Sequence, residues 1–238
     1  YIQATTEASI TNPAGMQVVN AAGGAVSVNA LDNSRVNADA GSGAVAVTTA
    51  SGGDSSNIGA VAIGASVAVN HITKTTTARI DHADVESAAF TVEAESTSDI
   101  DAFTFGLSGS LSSGSGTLAL AGAGSGSGNE ITSDVSALVI ASELTATGPV
   151  KVHASDASTI DAITGSVAVA INAGSGEGSK IGVALGAAVT INKVNASAIA
   201  QVDDTTITAT GQDVEITVKA KPRNRAHGRI RVVDAAHV

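Results

Sequence analysis

Three long stretches of this chain, 58–69, 117–128 and 180–191, alternate with a period of two. In the first, Val61, Ile63, Val67 and Val69 share one parity, and Ala60, Ala62, Gly64, Ser66 and Ala68 share the other. In the third, Val183, Leu185, Val189 and Ile191 oppose Ala184, Gly186, Ala188 and Thr190, and Val167, Val169 and Ile171 oppose Ala168 and Ala170 in the same way. Side chains on a strand point alternately to its two faces, so this period predicts strands. Neither face is charged. A sheet with one wet face would carry polar residues at every second position. Here one face is aliphatic and the other tiny, which predicts strands covered on both sides, the small face admitting a second layer closely. No long window repeats apolar residues at three and four. Val, Ile and Thr favour the pleated surface. The expected fold class is all-β.

The stretches also resemble one another. Asn70, Asn129 and Asn192 stand near their ends, about sixty residues apart, a spacing that marks stacked repeat architecture. Ile80, Val139 and Val202 correspond, as do Val85, Leu144 and Ile207. So do the pairs Val92 and Ala94, Val152 and Ala154, Val218 and Ala220. Ile100-Asp101-Ala102 matches Ile160-Asp161-Ala162, with Val36-Asn37-Ala38 an earlier copy of the same turn. The organisation read from this is a partial, diverged β repeat over 1–57, β repeats over 58–116 and 117–179, a truncated β repeat over 180–220, and a basic C-terminal tail over 221–238. The Gly/Ser clusters Ser51 to Asn57, Ser112 to Gly116 and Gly174 to Ser179 read as turns or surface loops. Either hairpins or insertions between successive coils of a solenoid satisfy them. Aliphatic rows on successive units are expected to zip into one continuous dry interior.

Composition narrows the function classes. The chain of 238 residues is 43% hydrophobic but 2% aromatic, so its core must be built from aliphatic ladders. It has no cysteine, which excludes disulfides and thiolate metal sites. No apolar run is long enough for a membrane-spanning helix, and no signal peptide is visible. The start at Tyr1, without Met, reads as a piece of something longer. The net charge is −10, yet six of the 12 cations, Lys219, Lys221, Arg223, Arg225, Arg229 and Arg231, crowd the last twenty residues. The acidic body disfavours nucleic acid and anionic lipid. The basic segment is read as a solvated terminus or a linker rather than a nucleic-acid contact, with the positive end of one chain meeting the negative body of the next as a third reading.

Candidate chemistry is sparse. His71, His82, His153, His227 and His237 show no metal-ligand spacing. His153 follows Val152 and, with counterparts Glu93 and Lys219, reads as a solvent-facing strand residue. Glu93 with Glu95, Asp99 with Asp101, and Asp203 with Asp204 place carboxylates near one another, which suits calcium or a glycosidase or lyase pair. Calcium needs six to eight oxygens, and no Gly-Gly-x-Gly-x-Asp repeat supplies them. The run Gly122 to Gly128 neither follows nor opens a helix, so it makes a poor phosphate cradle. Thr75-Thr76-Thr77 has no threonine counterpart at Asp134-Val135-Ser136, which argues against an ice-binding ladder. No catalytic, cofactor-binding or metal residue is assigned, and no enzyme activity is expected.

Gly-Ala-Ser-Val-Ala-Val-Asn at 64–70 and Gly-Ala-Ala-Val-Thr-Ile-Asn at 186–192, each followed by an Ala-x-Ile/Val strand, resemble repeats of giant bacterial surface proteins. The nearest in style are leukotoxin-type filamentous adhesins and filamentous-haemagglutinin-like proteins. The resemblance covers about residues 1–220. It implies a right-handed parallel β-solenoid, secretion to the cell surface, and a role as stalk, fibre or adhesin. The implied partners are copies of the chain itself, neighbouring repeats, or surface glycans. The alternative expectation is a carbohydrate-binding or polysaccharide-cleaving β-helix.

Overall fold

A computed structural model describes residues 1–12, 17–49, 58–114, 117–173, 178–210, 213–221 and 223–236, the last as backbone. It is all-β, and every strand pairing is parallel. The first coil is β1 (Ile2–Thr11) and β2 (Gln17–Thr49), the second β3 (Ile58–Asp81) and β4 (Ala83–Ser113). The third is β5 (Thr117–Ile140), β6 (Glu143–Ala146), β7 (Val150–Asp156) and β8 (Thr159–Ala173). The fourth is β9 (Ile181–Asp203), β10 (Thr206–Ala209), β11 (Val214–Ala220) and β12 (Arg223–Ala236). Strands β1-β3-β5-β9 form one four-stranded sheet, and the others form an eight-stranded sheet that packs against it. The result is a β-solenoid of flattened coils. No hairpin occurs among the described strands. Ser51 to Asn57, and residues 115–116 and 174–177 of the other two Gly/Ser clusters, lie outside the described residues.

The second, third and fourth coils reverse through a tight arc between the sheets. His82 (φ 54°), Ala141 (φ 45°) and Asp204 (φ 44°) take the left-handed conformation there, one above another. The arcs are bonded to their neighbours: His82 N–H donates to the Ile140 carbonyl at 3.1 Å, and Ala141 N–H to that of Asp203 at 3.0 Å. Ser142 Oγ accepts from Ala83 N–H at 3.2 Å and donates to the Ile140 carbonyl at 2.7 Å. The structure thus stacks its turns as well as its strands.

The register matches most of the sequence correspondences. Ile80, Val139 and Val202 lie on one ladder, and Val85, Leu144 and Ile207 on another. Two readings are corrected. Val152 and Ala154 pair with Ile216 and Val218, not Val218 and Ala220, so Thr217 rather than Lys219 stands beside His153. A slip of two leaves every side chain on its own face, so alternation alone could not detect it. The triplets at 36–38, 100–102 and 160–162 are no turn; they lie inside β2, β4 and β8. The segment expected as a basic tail carries β12, in register with β8 from Arg223↔Thr159 to Ala236↔Asn172.

The core has two unlike parts. Near the arcs, Ile80, Val85, Phe90, Val92, Val139 and Leu144 interlock, and Ile72, Ile100, Ile131 and Ile160 continue the row. At the other end the buried cluster is wholly alanine: Ala119, Ala121, Ala123, Ala168, Ala170 and Ala184. The inward parity of β4 switches between Ser87 and Phe90, three residues on, so a period-two reading breaks there. Gly148 passes this corner, where an added Cβ would stand 2.5 Å from the Ala88 carbonyl oxygen.

Candidate functional site

The far half of the slab, away from the arcs, carries its aliphatic residues on the outside. Ile63 is 73%, Val67 70%, Val69 77% and Leu185 68% exposed, and Val189 and Ile191 are exposed beside them. Their alternates Ala60, Ala62, Gly64, Ser66 and Ala68 face the interior and are buried. This corrects the expectation of strands covered on both sides with the aliphatic row in a dry interior: here the tiny face is the inner one. The opposite sheet does the same, with Val45, Val47, Leu107 and Ile171 exposed. Surface apolar patches of this extent mark contact sites in soluble proteins.

The small inner face explains the inversion. The two sheets approach so closely that an added Cβ on Gly64 would lie 2.3 Å from the Leu107 carbonyl oxygen, and one on Gly106 would lie 2.3 Å from that of Gly124. Aliphatic side chains do not fit in that gap. What fills it is partly polar, and the hydroxyls of Ser66, Thr104, Ser108, Ser110, Ser125 and Ser166 find no hydrogen-bond partner there. The asparagine ladder marks the boundary between halves. Asn70 Nδ2 donates to Asn129 Oδ1 at 2.7 Å, 59 residues on, and Asn129 Nδ2 to Asn192 Oδ1 at 2.9 Å, 63 residues on.

On the outer face of the four-stranded sheet the middle strand of the far half is bare. Gly122, Gly124, Gly126 and Gly128 occupy its outward positions, beside Ile63, Ala65, Val67 and Val69 of β3 and Leu185, Ala187, Val189 and Ile191 of β9. A channel with a glycine floor and aliphatic walls results. From Gly122 to Gly128 it runs about 20 Å, and its walls stand about 9.6 Å apart, two strand spacings. An added Cβ meets nothing within 4 Å at Gly124 and only ordinary contacts at Gly122, Gly126 and Gly128, so the channel is open space. The glycine run that fails as a phosphate cradle is this floor. Its signal in the sequence was the alignment of Gly122, Gly126 and Gly128 with branched residues one repeat away.

The polar candidates scatter over the other half. Glu93, Glu95 and His153 bring one ligand atom each within 4.8 Å of the others. His153 points outward as expected but is buried by its neighbours, its Nδ1 2.8 Å from Thr217 Oγ1, while Lys151 donates to Glu93 at 3.0 Å. Asp99 accepts from Thr159 Oγ1, and Asp101 pairs with Arg35 at 2.6 Å. Asp203 and Asp204 sit at an arc, Asp204 in the left-handed conformation. His71 lies 3.4 Å from Glu130 under the ring of Tyr1, and His82 bonds Asp81 at 2.6 Å. The side chains of His227, His237 and the cations from Arg223 onward lie outside the described residues. No helix is long and apolar enough to cross a membrane among the described residues, which leaves strand-built crossings unaddressed.

Sequence reasoning passed over a buried ion pair between the sheets. Lys74, at an inward position of β3, is fully buried and spans the two sheets to Asp32 Oδ1 at 2.5 Å and the Thr97 carbonyl at 3.0 Å. Thr6 and Ser34 also donate to Asp32, at 2.9 and 3.1 Å. Burial pushes the Asp32 carboxyl up, but the hydrogen bonds from Lys74 and Thr6, the Lys74 charge and Ser34 outweigh it and hold the pKa below the ordinary 3.8. The signal was its parity, since Lys74 shares a face with Ile72 and Ala78.

No family model, no curated protein and no solved structure matches this chain.

Proposed function

We propose that this chain is a structural or adhesive repeat segment of an extracellular bacterial filament or surface protein, acting by shape and assembly rather than catalysis. The observation that carries the reading is the ladder architecture, in which equivalent residues of successive coils stack in register from β1 to β9. Such a solenoid grows by adding coils, because each coil leaves a row of backbone donors and acceptors for the next. The exposed aliphatic faces add a lateral surface. Electron microscopy of the purified chain at high concentration tests this: filaments or bundles are expected, and monodisperse monomers would refute it.

A second reading has one observation in its favour. Arg35, Asp101, Asp161 and Phe103 line a shallow depression on the eight-stranded sheet, combining acids, a base and an aromatic as a glycan contact requires. Monomers in the micrograph together with binding on an array of acidic glycans would favour this carbohydrate-binding alternative.

A further inference from the structure

The glycine channel and the β3 ridge beside it are complementary to each other. Rotate a second copy by 180° about an axis parallel to the strands, lying above the sheet midway between β3 and β5. Each copy's β3 then lies over the other's β5. Heights along the strands do not change under this rotation, so the in-chain register carries over. Ile63, Ala65, Val67 and Val69 of one copy come to stand over Gly122, Gly124, Gly126 and Gly128 of the other. The largest outward side chains meet the positions that have none, and the contact is reciprocal, as an isologous interface demands. A two-fold axis perpendicular to the strands would instead set ridge on ridge.

From this fit we infer that the outer face of the four-stranded sheet is a homotypic docking surface, whose occupant is the β3 ridge of a second copy of this chain. The inference deepens the filament reading by naming its lateral contact, and rests on that reading for its biological setting. Charge allows it. The net charge of −10 makes copies repel, but residues 58–70, 117–129 and 181–192 contain no charged side chain. Two strands about a dozen residues long give a footprint of roughly 400 Å² per copy, about 800 Å² in total and below the roughly 1,200 Å² of stable specific interfaces. That places one pair in the weak range, strengthened when several coils engage together. In the opposite sheet β4 offers no such glycine floor, since Phe105, Leu107 and Leu111 share its outward positions with the single Gly109.

Sedimentation velocity over roughly 5–200 µM tests the pairing, since interfaces this small dissociate in the micromolar range. The native chain is expected to dimerise. Gly126→Leu fills the channel and should weaken dimerisation at least about tenfold. Its added Cβ makes only 3.8 Å contacts, so circular dichroism and melting should stay as in the parent. The chain has no cysteine, so a mixture of Val67→Cys and Gly126→Cys chains should cross-link between copies, while Val47→Cys with Gly126→Cys should not. Three results would overturn the pairing: a native chain monomeric throughout, dimerisation untouched by Gly126→Leu, or monomers that bind phosphatidylcholine vesicles through this face without pairing. Filaments seen by microscopy from a chain with no such lateral contact would sink the pairing and leave the structural-repeat reading standing.

Discussion

The two halves of this solenoid share the long strands β3, β5 and β9 and their register, yet they solve burial in opposite ways. Near the arcs, isoleucine, valine and phenylalanine fill the gap between sheets, and outward positions such as Glu93, Glu95, Asp99 and Asp101 are charged. Beyond the asparagine ladder, alanine and serine fill the gap and the aliphatic residues face out. A buried alanine removes far less apolar area from water than a buried isoleucine, at about 25 cal/mol per Å². The arc half therefore holds the fold together. The far half is a thin plate whose aliphatic residues lie on its surface, where they add little to the stability of the monomer.

The largest expected effect is on the arc-half side of the ladder. Lys74→Met leaves Asp32 buried without its cation and should cost about 3–5 kcal/mol in urea unfolding at neutral pH, as for other broken buried pairs. Its pH dependence carries a sign. Asp32 has a depressed pKa in the folded chain, so it contributes stability that is present above its unfolded pKa, near 3.9, and lost as pH falls through the lower folded value. In Lys74→Met only the hydrogen bonds from Thr6 and Ser34 still oppose burial, so that pKa rises above the parent's and the variant loses less stability as pH falls. The gap between parent and variant should narrow steadily toward pH 3. A gap that stays constant with pH would show that lost packing, not the charge pair, causes the effect.

The next effect separates the two faces of the far half with a single residue type. Gly64 and Gly124 belong to adjacent strands of one sheet, but Gly64 faces the other sheet and Gly124 faces out. Gly64→Val drives a side chain into the Leu107 backbone and should cost about 3 kcal/mol, the upper range for overpacking. Gly124→Val meets open space and should stay within about 0.5 kcal/mol, as surface substitutions do. Thermal unfolding of the two variants reads the difference directly. Equal losses would mean that the sheets do not approach as closely as the far half requires.

Why the sequence disclosed the ladders but not the orientation follows from these residues. Period two shows that Val67 and Val69 share a face opposed to Ser66 and Ala68. It does not show which face is inward, and the usual arbiter, charge on the wet side, is missing from both. In the arc half that arbiter is present: Glu93 and Glu95 alternate with Val92 and Ala94, and the direction is plain. The repeats were legible because Ile80, Val139 and Val202 keep their place while their neighbours drift. The slip at Val218 was not, because Val214, Ile216 and Val218 offer the same pattern at every second residue. Lys74 and the glycine floor needed parity and repeat alignment together, since neither residue type is unusual alone.

The smallest predicted effect reverses sign between the halves. Ser108 is buried in the far half and its hydroxyl has no partner, whereas Ser142 in the arc bonds Ala83 N–H at 3.2 Å and the Ile140 carbonyl at 2.7 Å. A buried hydroxyl without a hydrogen bond costs about 1 kcal/mol or more, and an alanine of similar shape removes that cost. Ser108→Ala should therefore stabilise the chain by about 1 kcal/mol, and Ser142→Ala should destabilise it by a similar amount. Measured as paired shifts in urea midpoint, the same chemical change then moves stability in opposite directions. The gain in the first case would mean that serine is kept in the thin half for its small volume and not for its hydroxyl. Destabilisation by Ser108→Ala would show instead that the hydroxyl is bonded, and the far half would then hold a hydrogen-bonded polar core.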